Sequence, residues 1–123
     1  MELHESAEDY LEAILRLQES KGIARSVDVA ELLGVSKPSV SVAMKKLRSS
    51  GYLVTDEGHE LTLTPEGMTV ASRVYERHRV LTAYIVSLGV DEKIARVDAC
   101  KIEHDLSEAT YQAIRKRVCE AKR

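Results

Sequence analysis

Apolar residues near the start of the chain recur with helical spacing, in two segments that glycines separate. The first segment is predicted to form a helix from Ser6 to about Ser20, ended by Gly22. A short second helix follows, for which Ser26 is the expected N-cap residue. Gly34 then permits a sharp turn, because glycine adopts left-handed backbone angles without steric cost.

The next segment has the start and stop signals of a third helix, followed by those of a β-hairpin. Ser36 is a good N-cap, Pro38 suits the first helical turn, and Gly51 is a good terminator. Two short β-prone runs then flank residues 56–58, which predict a hairpin with Gly58 at the turn. Helix, glycine-containing turn, helix and hairpin together predict a winged helix-turn-helix.

The second half of the chain is predicted to be entirely helical. Thr64 caps and Pro65 opens a long helix to about Leu88. Further helices are expected from Asp91 to about His104 and from Ser107 to about Val118. A continuous apolar seam on the long helix comprises Val74, His78, Leu81, Ile85 and Leu88. The predicted fold is mostly α, with an N-terminal winged helix-turn-helix at 1–70 and a second, all-helical domain at 71–123.

Composition and charge place the chain among ordinary globular proteins, with an uneven distribution of charge. Of its 123 residues 44% are hydrophobic and 31% charged, and the net charge is −2. No apolar run approaches the roughly 20 residues that span a bilayer, and no signal peptide is evident. We therefore expect a cytoplasmic protein with reduced cysteines and no membrane partner. Residues 36–55 contain four basic residues and no acid, which favours a polyanionic partner.

The third helix has a polar face that could read DNA. Lysines and serines can bond phosphates or base edges, and an exposed valine can contact a thymine methyl group. In a helix-turn-helix this helix enters the major groove. The alternative is a merely solvated surface, and acids in the predicted wing weaken the case for DNA. The candidate DNA-binding residues are Lys37, Pro38, Ser39, Ser41, Val42, Lys45 and Lys46.

Potential metal ligands come from three helices. Each has a plain structural alternative. Asp9 could form a capping box, and Glu12 could form an ion pair with Arg16. His78 could occupy a core position in the seam, and Cys100 could be a small buried hydrophobe. Together they offer oxygen, nitrogen and sulfur donors enough for five or six coordination bonds. The candidate ligands are Asp9, Glu12, His78, Cys100, Glu103 and His104.

The donor set indicates which ion to expect and which functions compete. A carboxylate-rich mixture suits Mn²⁺ or Fe²⁺, and the thiolate favours the softer Fe²⁺, with one or two ions per subunit. A metalloenzyme would need a substrate pocket and an acid or base beside the ligands, and no motif for one is present. A metal-independent winged-helix regulator is the other alternative. We expect a protein that is not an enzyme and has no small-molecule substrate.

The segments "AEDYLEAIL", "ERHRVL" and "DACKIEHDLS", with the winged helix between them, resemble the metal-dependent repressors of the diphtheria toxin repressor and manganese transport regulator family. The resemblance covers nearly the whole chain. It implies a homodimeric, metal-activated repressor that binds double-stranded operator DNA and controls manganese or iron uptake genes. It also implies that the chain lacks the C-terminal SH3-like domain of longer members.

Carried over by position, five candidate ligands match the manganese-sensing branch of that family, and Cys100 instead matches the iron-sensing branch. The iron branch has methionine where this chain has Asp9, so the set is a hybrid. The ancillary site of the iron branch needs partners where Thr82 and Arg96 stand. The resulting hypothesis is that a bound ion links the first helix to the dimerisation domain and so fixes the spacing of the two recognition helices.

Overall fold

A computed structural model describes residues 5–56 and 59–121. Within these ranges the chain forms six helices and one two-stranded antiparallel sheet. It divides into two compact units, of which the first ends at Arg73 and the second begins at Val74. The elements in chain order are α1 (Glu5–Lys21), α2 (Ser26–Leu33), α3 (Lys37–Ser49), β1 (Leu53–Thr55), β2 (Leu61–Leu63), α4 (Pro65–Ser87), α5 (Glu92–Ile102) and α6 (Glu108–Ala121).

The first unit is a winged helix-turn-helix, and its three helices bury one apolar core. Leu11 and Ile14 of α1, Val29 of α2, and Val40 and Met44 of α3 are fully or almost fully buried. Burial of side chains of this size contributes about 1.5–3 kcal/mol each, so the core sets the mutual packing of these three helices. Leu47 of α3 is buried beside Val40 and Met44, and Ala43 on the same side is half-buried.

The turn between α2 and α3 follows the predicted local rules. Gly34 adopts a φ of 67°, and the side chain of Ser36 accepts a hydrogen bond from the backbone N–H of Ser39 at 3.2 Å. Pro38 lies at the helix start, where its missing N–H costs nothing. Gly51, with a φ of 85°, follows the end of α3. These features fix the exit of α2 and the entry of α3.

The wing is the two-stranded sheet, in which Leu53 pairs with Leu63 and Thr55 with Leu61. A backbone hydrogen bond joins the wing to the loop between α1 and α2, in which the N–H of Leu61 donates to the carbonyl of Ala24 at 2.8 Å. Gln18 of α1 also donates to the carbonyl of Leu61 at 3.2 Å. The predicted turn at Gly58 lies outside the described residues.

The second unit consists of the later part of α4 with α5 and α6. Its buried apolar side chains include Val74, Leu81, Ala95, Ala99 and Tyr111. The helices are joined by polar contacts as well, since Arg115 of α6 pairs with Glu76 of α4 at 2.8 Å. In neither unit does a described helix have the length and apolar character required to cross a membrane.

Two local expectations are wrong. The N-cap of α2 is Arg25 and not Ser26, because Arg25 is held extended by an isolated bridge to Glu60. The fifth helix ends at Ile102, so Glu103 is its C-cap residue and His104 lies in the following turn.

Candidate metal centre and nucleic-acid interface

The carboxylate of Glu103 lies between two imidazole rings of the second unit. Its Oε2 is 3.1 Å from Nδ1 of His78, and its Oε1 is 3.4 Å from Nε2 of His104. The Glu103 side chain has no exposed surface, and those of His78 and His104 are only 11% and 5% exposed. Three candidate ligands are therefore brought together in a buried place, where an ionised carboxylate requires a positively charged or hydrogen-bonding partner.

The end of α5 carries two of these three residues. Glu103, the C-cap, keeps helical backbone angles with a φ of −60° and a ψ of −26°, and His104 follows it in the turn. His78 approaches from α4, where Thr82 one turn later donates a hydrogen bond to the His78 carbonyl at 2.7 Å.

Cys100 lies one turn before Glu103 in the chain, and its Sγ and a carboxylate oxygen of Glu103 lie within 4.8 Å of each other, close enough for one ion to bind both. The thiol is exposed, whereas Glu103 is buried. The alternative in which Cys100 is a small buried hydrophobe is therefore wrong. Neither Cys100 nor the exposed Cys119 is in a disulfide, as expected. An exposed thiol remains accessible to a divalent ion.

Asp9 and Glu12 lie on α1 of the first unit, one turn apart. Asp9 is half-buried, and Glu12 is only 4% exposed. Helical residues three positions apart lie on neighbouring turns of the same face, so the two carboxylates can converge on one ligand. A glutamate so strongly buried on a helix that otherwise buries Leu11 and Ile14 is unusual, because burial disfavours the charged form.

The donors of the second unit fit a divalent transition metal. Two ligand atoms about 2.1 Å from one ion lie roughly 3.0 Å apart at an octahedral angle and roughly 3.4 Å apart at a tetrahedral angle. The two contacts of Glu103, at 3.1 and 3.4 Å, already have the spacing of neighbouring ligands. Imidazole nitrogen with carboxylate oxygen is also a combination that Mn²⁺ and Fe²⁺ accept.

The predicted DNA-facing residues all lie on the exposed side of α3 or at its start. This side presents hydroxyl groups, lysines and one apolar contact, Val42, which is 56% exposed. Arg48, which the sequence reasoning did not single out, donates to the Thr55 hydroxyl at 2.9 Å and so joins the end of α3 to the wing. The exposed residues of the predicted set are Lys37, Pro38, Ser39, Ser41, Val42, Lys45 and Lys46.

Two family models match the chain and together span almost all of it. The first, described as the iron dependent repressor N-terminal DNA binding domain, matches residues 2–59. The second, the iron dependent repressor metal binding and dimerisation domain, matches residues 64–123. The chain belongs to the iron dependent repressor family. Membership confirms the predicted winged helix-turn-helix with a helical dimerisation domain, and the expectation of a DNA-binding regulator and not an enzyme.

Curated relatives of the chain include two transcriptional regulators called MntR. The chain is 40% identical over 109 residues to "Transcriptional regulator MntR" of Salmonella typhimurium, a match that covers 89% of this chain and 69% of that protein. It is 42% identical over 102 residues to "HTH-type transcriptional regulator MntR" of Lysinibacillus sphaericus, covering 83% of this chain and 73% of the relative.

Solved structures from the same family share the fold. The T. acidophilum IdeR structure has a TM-score of 0.82 and 29% identity, and the match covers 95% of this chain and 55% of that one. A manganese-dependent transcriptional repressor in complex with manganese has a TM-score of 0.82 and 32% identity, with coverage of 91% and 52%. The chain thus spans about half the length of these two solved structures.

Proposed function

We propose that the protein is a metal-activated transcriptional repressor that controls manganese or iron uptake genes in the cytoplasm. The observation that carries the proposal is the Glu103 carboxylate lying between His78 and His104, in a chain whose α3 presents an exposed basic face. The buried carboxylate–imidazole cluster, whose spacing suits metal ligands, would bind the ion. The basic face of α3 would bind the operator DNA. The similarity to a manganese-dependent transcriptional repressor supports manganese as the regulated ion.

The proposed ligands are the six residues inferred from the sequence. Two carboxylates come from the first unit, and two imidazoles, one carboxylate and one thiol come from the second. Cys100 adds a soft sulfur donor, which favours Fe²⁺ over Mn²⁺, while the oxygen donors suit both ions. We propose one or two ions per subunit, bound by Asp9, Glu12, His78, Cys100, Glu103 and His104.

The proposed coupling is electrostatic. Asp9, Glu12 and Glu103 are like-charged groups when ionised, and their mutual repulsion opposes any state of the chain in which all three approach one point. A bound divalent ion supplies the positive charge that cancels this repulsion. It acts as an effector only to the extent that the DNA-competent state binds it more tightly. A coupling free energy of about 1–3 kcal/mol would change operator affinity roughly 5–150-fold.

We propose that operator recognition is performed by a homodimer. Domains 1–70 and 71–123 then provide DNA binding and dimerisation respectively. Leu88, Ile94 and Val97 of the second unit are each more than half exposed, which supports a dimer because such apolar surface is stabilised by contact with a second copy. Two recognition helices would enter successive major grooves about 34 Å apart, or at a multiple of that distance.

Within the DNA interface, the proposed roles follow from side-chain chemistry. Lys45 and Lys46 would bind phosphates, and Ser39 and Ser41 would donate to phosphates or base edges. Val42 would contact a thymine methyl group. Lys37 and Pro38 lie at the helix start, which in a helix-turn-helix is the end closest to the bases.

The experiment that tests the proposed function is an anaerobic DNA retention assay. Genomic fragments from the source organism are mixed with the purified protein and Mn²⁺, Fe²⁺, Zn²⁺ or a chelator, and the retained fragments are sequenced. We expect specific fragments, bearing promoters of metal-uptake genes, to be retained with Mn²⁺ or Fe²⁺ and lost with the chelator. The Asp9→Ala variant should lose the metal response while keeping its helical content. Equal retention with chelator and with ion would contradict metal activation.

A further inference from the structure

Arg77 precedes His78 on α4 and makes three side-chain hydrogen bonds within the second unit. Its Nη1 donates to the carbonyl of Glu103 at 3.0 Å and to that of Leu106 at 3.1 Å. Its Nη2 donates to Oε2 of Glu108 at 2.7 Å. The Arg77 side chain is only 12% exposed, so its two bonds to carbonyls are partly shielded from water, whereas its partner Glu108 is 66% exposed.

The two carbonyls that accept hydrogen bonds from Arg77 lie at the end of α5 and in the turn that follows it. The last carbonyls of a helix have no partners within the helix and need donors from elsewhere. Glu103 is the C-cap of α5, and Leu106 lies in the turn before α6. Arg77 therefore binds both ends of the short segment that carries the side chains of Glu103 and His104.

The guanidinium group of Arg77 is itself held in place. Its central carbon lies 4.8 Å from the centroid of the Tyr111 ring, a cation–π contact with α6. The ion pair with Glu108 offsets its charge. A guanidinium has no lone pair to offer and stays protonated, so Arg77 cannot be a metal ligand.

We propose that Arg77 is a positioning residue that sets the geometry of the metal ligands. This inference rests on the proposed function. By bonding two carbonyls of the segment 103–106 from the position next to His78, Arg77 fixes the backbone from which Glu103 and His104 project, relative to the His78 ring. Without it the segment must be ordered when the ion binds, and that ordering weakens affinity.

Arginine is specifically suited to this task. Its planar fork reaches two backbone carbonyls and a carboxylate in a fixed geometry, whereas a lysine ammonium is a single point with a flexible stem. Replacement by lysine keeps the charge and the apolar stem but cannot reproduce all three bonds. The Lys variant therefore separates the role of the fork from that of the charge.

The test measures metal affinity in variants that differ in which bonds they remove. Anaerobic titrations with Mn²⁺ and with Co²⁺ compare the wild type with Arg77→Met, Arg77→Lys and Glu108→Gln. The control is Arg115→Met, which breaks another ion pair between α6 and α4, that with Glu76. Circular dichroism without metal confirms that each variant is folded at the temperature of the titration.

We expect Arg77→Met to weaken affinity about 10- to 100-fold, the range that outer-shell partners of metal ligands produce. Arg77→Lys should weaken it less, though clearly. Glu108→Gln and Arg115→Met should change affinity by less than about fivefold, as for exposed ion pairs. The Co²⁺ d–d spectrum of the Arg77 variants at saturation should also change in shape, a signature that a mere loss of stability would not produce.

Two results would overturn this inference while leaving the proposed function intact. One is wild-type affinity and an unchanged Co²⁺ spectrum in Arg77→Lys, or in Arg77→Met where that variant folds. The other is a loss in Glu108→Gln as large as that in the Arg77 variants, which would assign the effect to the ion pair and not to the carbonyl bonds. Failure of the wild type to bind either ion would instead refute the proposed function itself.

Discussion

Nδ1 of His78 lies 3.1 Å from Oε2 of Glu103, although 25 residues separate them in the chain. The pair joins the middle of α4 to the turn after α5, and Glu103 extends it to His104 through its other oxygen. A single carboxylate thus contacts both imidazoles of the candidate metal centre. It is the residue whose loss should have the largest effect on metal binding.

Glu103→Gln is expected to abolish the metal-dependent rise in thermal stability. Binding to the native state at about 100 times Kd stabilises a protein by about 2.7 kcal/mol, which raises the melting temperature measurably. An amide can still hydrogen-bond the imidazoles but is a poor ligand for Mn²⁺. Differential scanning calorimetry with and without Mn²⁺ makes the measurement. Glu92→Gln, at an exposed position on α5, is the control and should keep the full shift.

Cys100→Ser is expected to remove the sulfur-to-metal charge-transfer absorption of the Co²⁺-loaded protein. The matched control is Cys119→Ser, since both cysteines are exposed and neither is in a disulfide. Ultraviolet absorption during anaerobic Co²⁺ titration should show the band in the wild type and in the control only. A band that persists in Cys100→Ser would show that the thiol is not a ligand, and the candidate set would then be entirely nitrogen and oxygen.

The parts of the fold that could be predicted are those that local chemistry determines. Ser36 caps α3 and Gly34 adopts left-handed angles, because the required hydroxyl and the required freedom belong to those residues themselves. The exposed face of α3 followed from helical spacing alone. The resemblance of the ligand-bearing segments to a known family was equally a property of short stretches of sequence.

The errors arose where distant residues decide local structure. The carbonyls of Glu103 and Leu106, which follow Ile102, are bound by Arg77, which is 26 residues away from Glu103 in the chain. Arg25 displaces Ser26 as the cap of α2 because it bridges to Glu60 in the wing. The role that we propose for Arg77 was missed for the same reason. Its only local signal is its position beside His78.

Lys45→Ala is expected to weaken DNA binding and reduce its dependence on salt. Each phosphate contact contributes about 0.9 to the slope of log K against log salt concentration, so the loss of one contact should lower the slope by roughly that amount. Fluorescence anisotropy on duplex DNA across a range of salt concentrations measures it. Lys116→Ala, at an exposed position on α6, should leave the slope unchanged. A slope unaltered in Lys45→Ala would remove this lysine from the interface.

Gly67→Ala is expected to destabilise the first unit. A Cβ at this position of α4 would overlap the backbone carbonyl of Tyr52, which already accepts a hydrogen bond from the N–H of Thr64 at 3.1 Å. Alanine favours a helix over glycine by about 1 kcal/mol, but overpacking against backbone costs about 1–3 kcal/mol, and a carbonyl cannot rotate away. Urea denaturation should show a lower midpoint. Ser72→Ala, exposed on the same helix, should stay within about 0.5 kcal/mol of the wild type.

Tyr111→Phe is expected to make the second unit less sensitive to alkaline pH. Burial, and next the neighbouring carboxylate of Glu76, raise the pKa of Tyr111 above its ordinary value of 10.0, against smaller opposing effects of Arg115 and Arg77. The folded state therefore holds the phenolic proton more tightly than the unfolded chain does.

The sign of the pH effect follows from that difference in proton binding. The stability contributed by the raised pKa is fully present below pH 10 and is lost as pH rises above it. Phenylalanine keeps the ring that faces Arg77 but has no proton to lose. Between pH 9 and pH 11, values chosen to bracket the ordinary pKa of about 10, urea denaturation should show a smaller fall in unfolding free energy for Tyr111→Phe than for the wild type. Equal falls in the two proteins would contradict the prediction, because lysine deprotonation contributes the same amount to both.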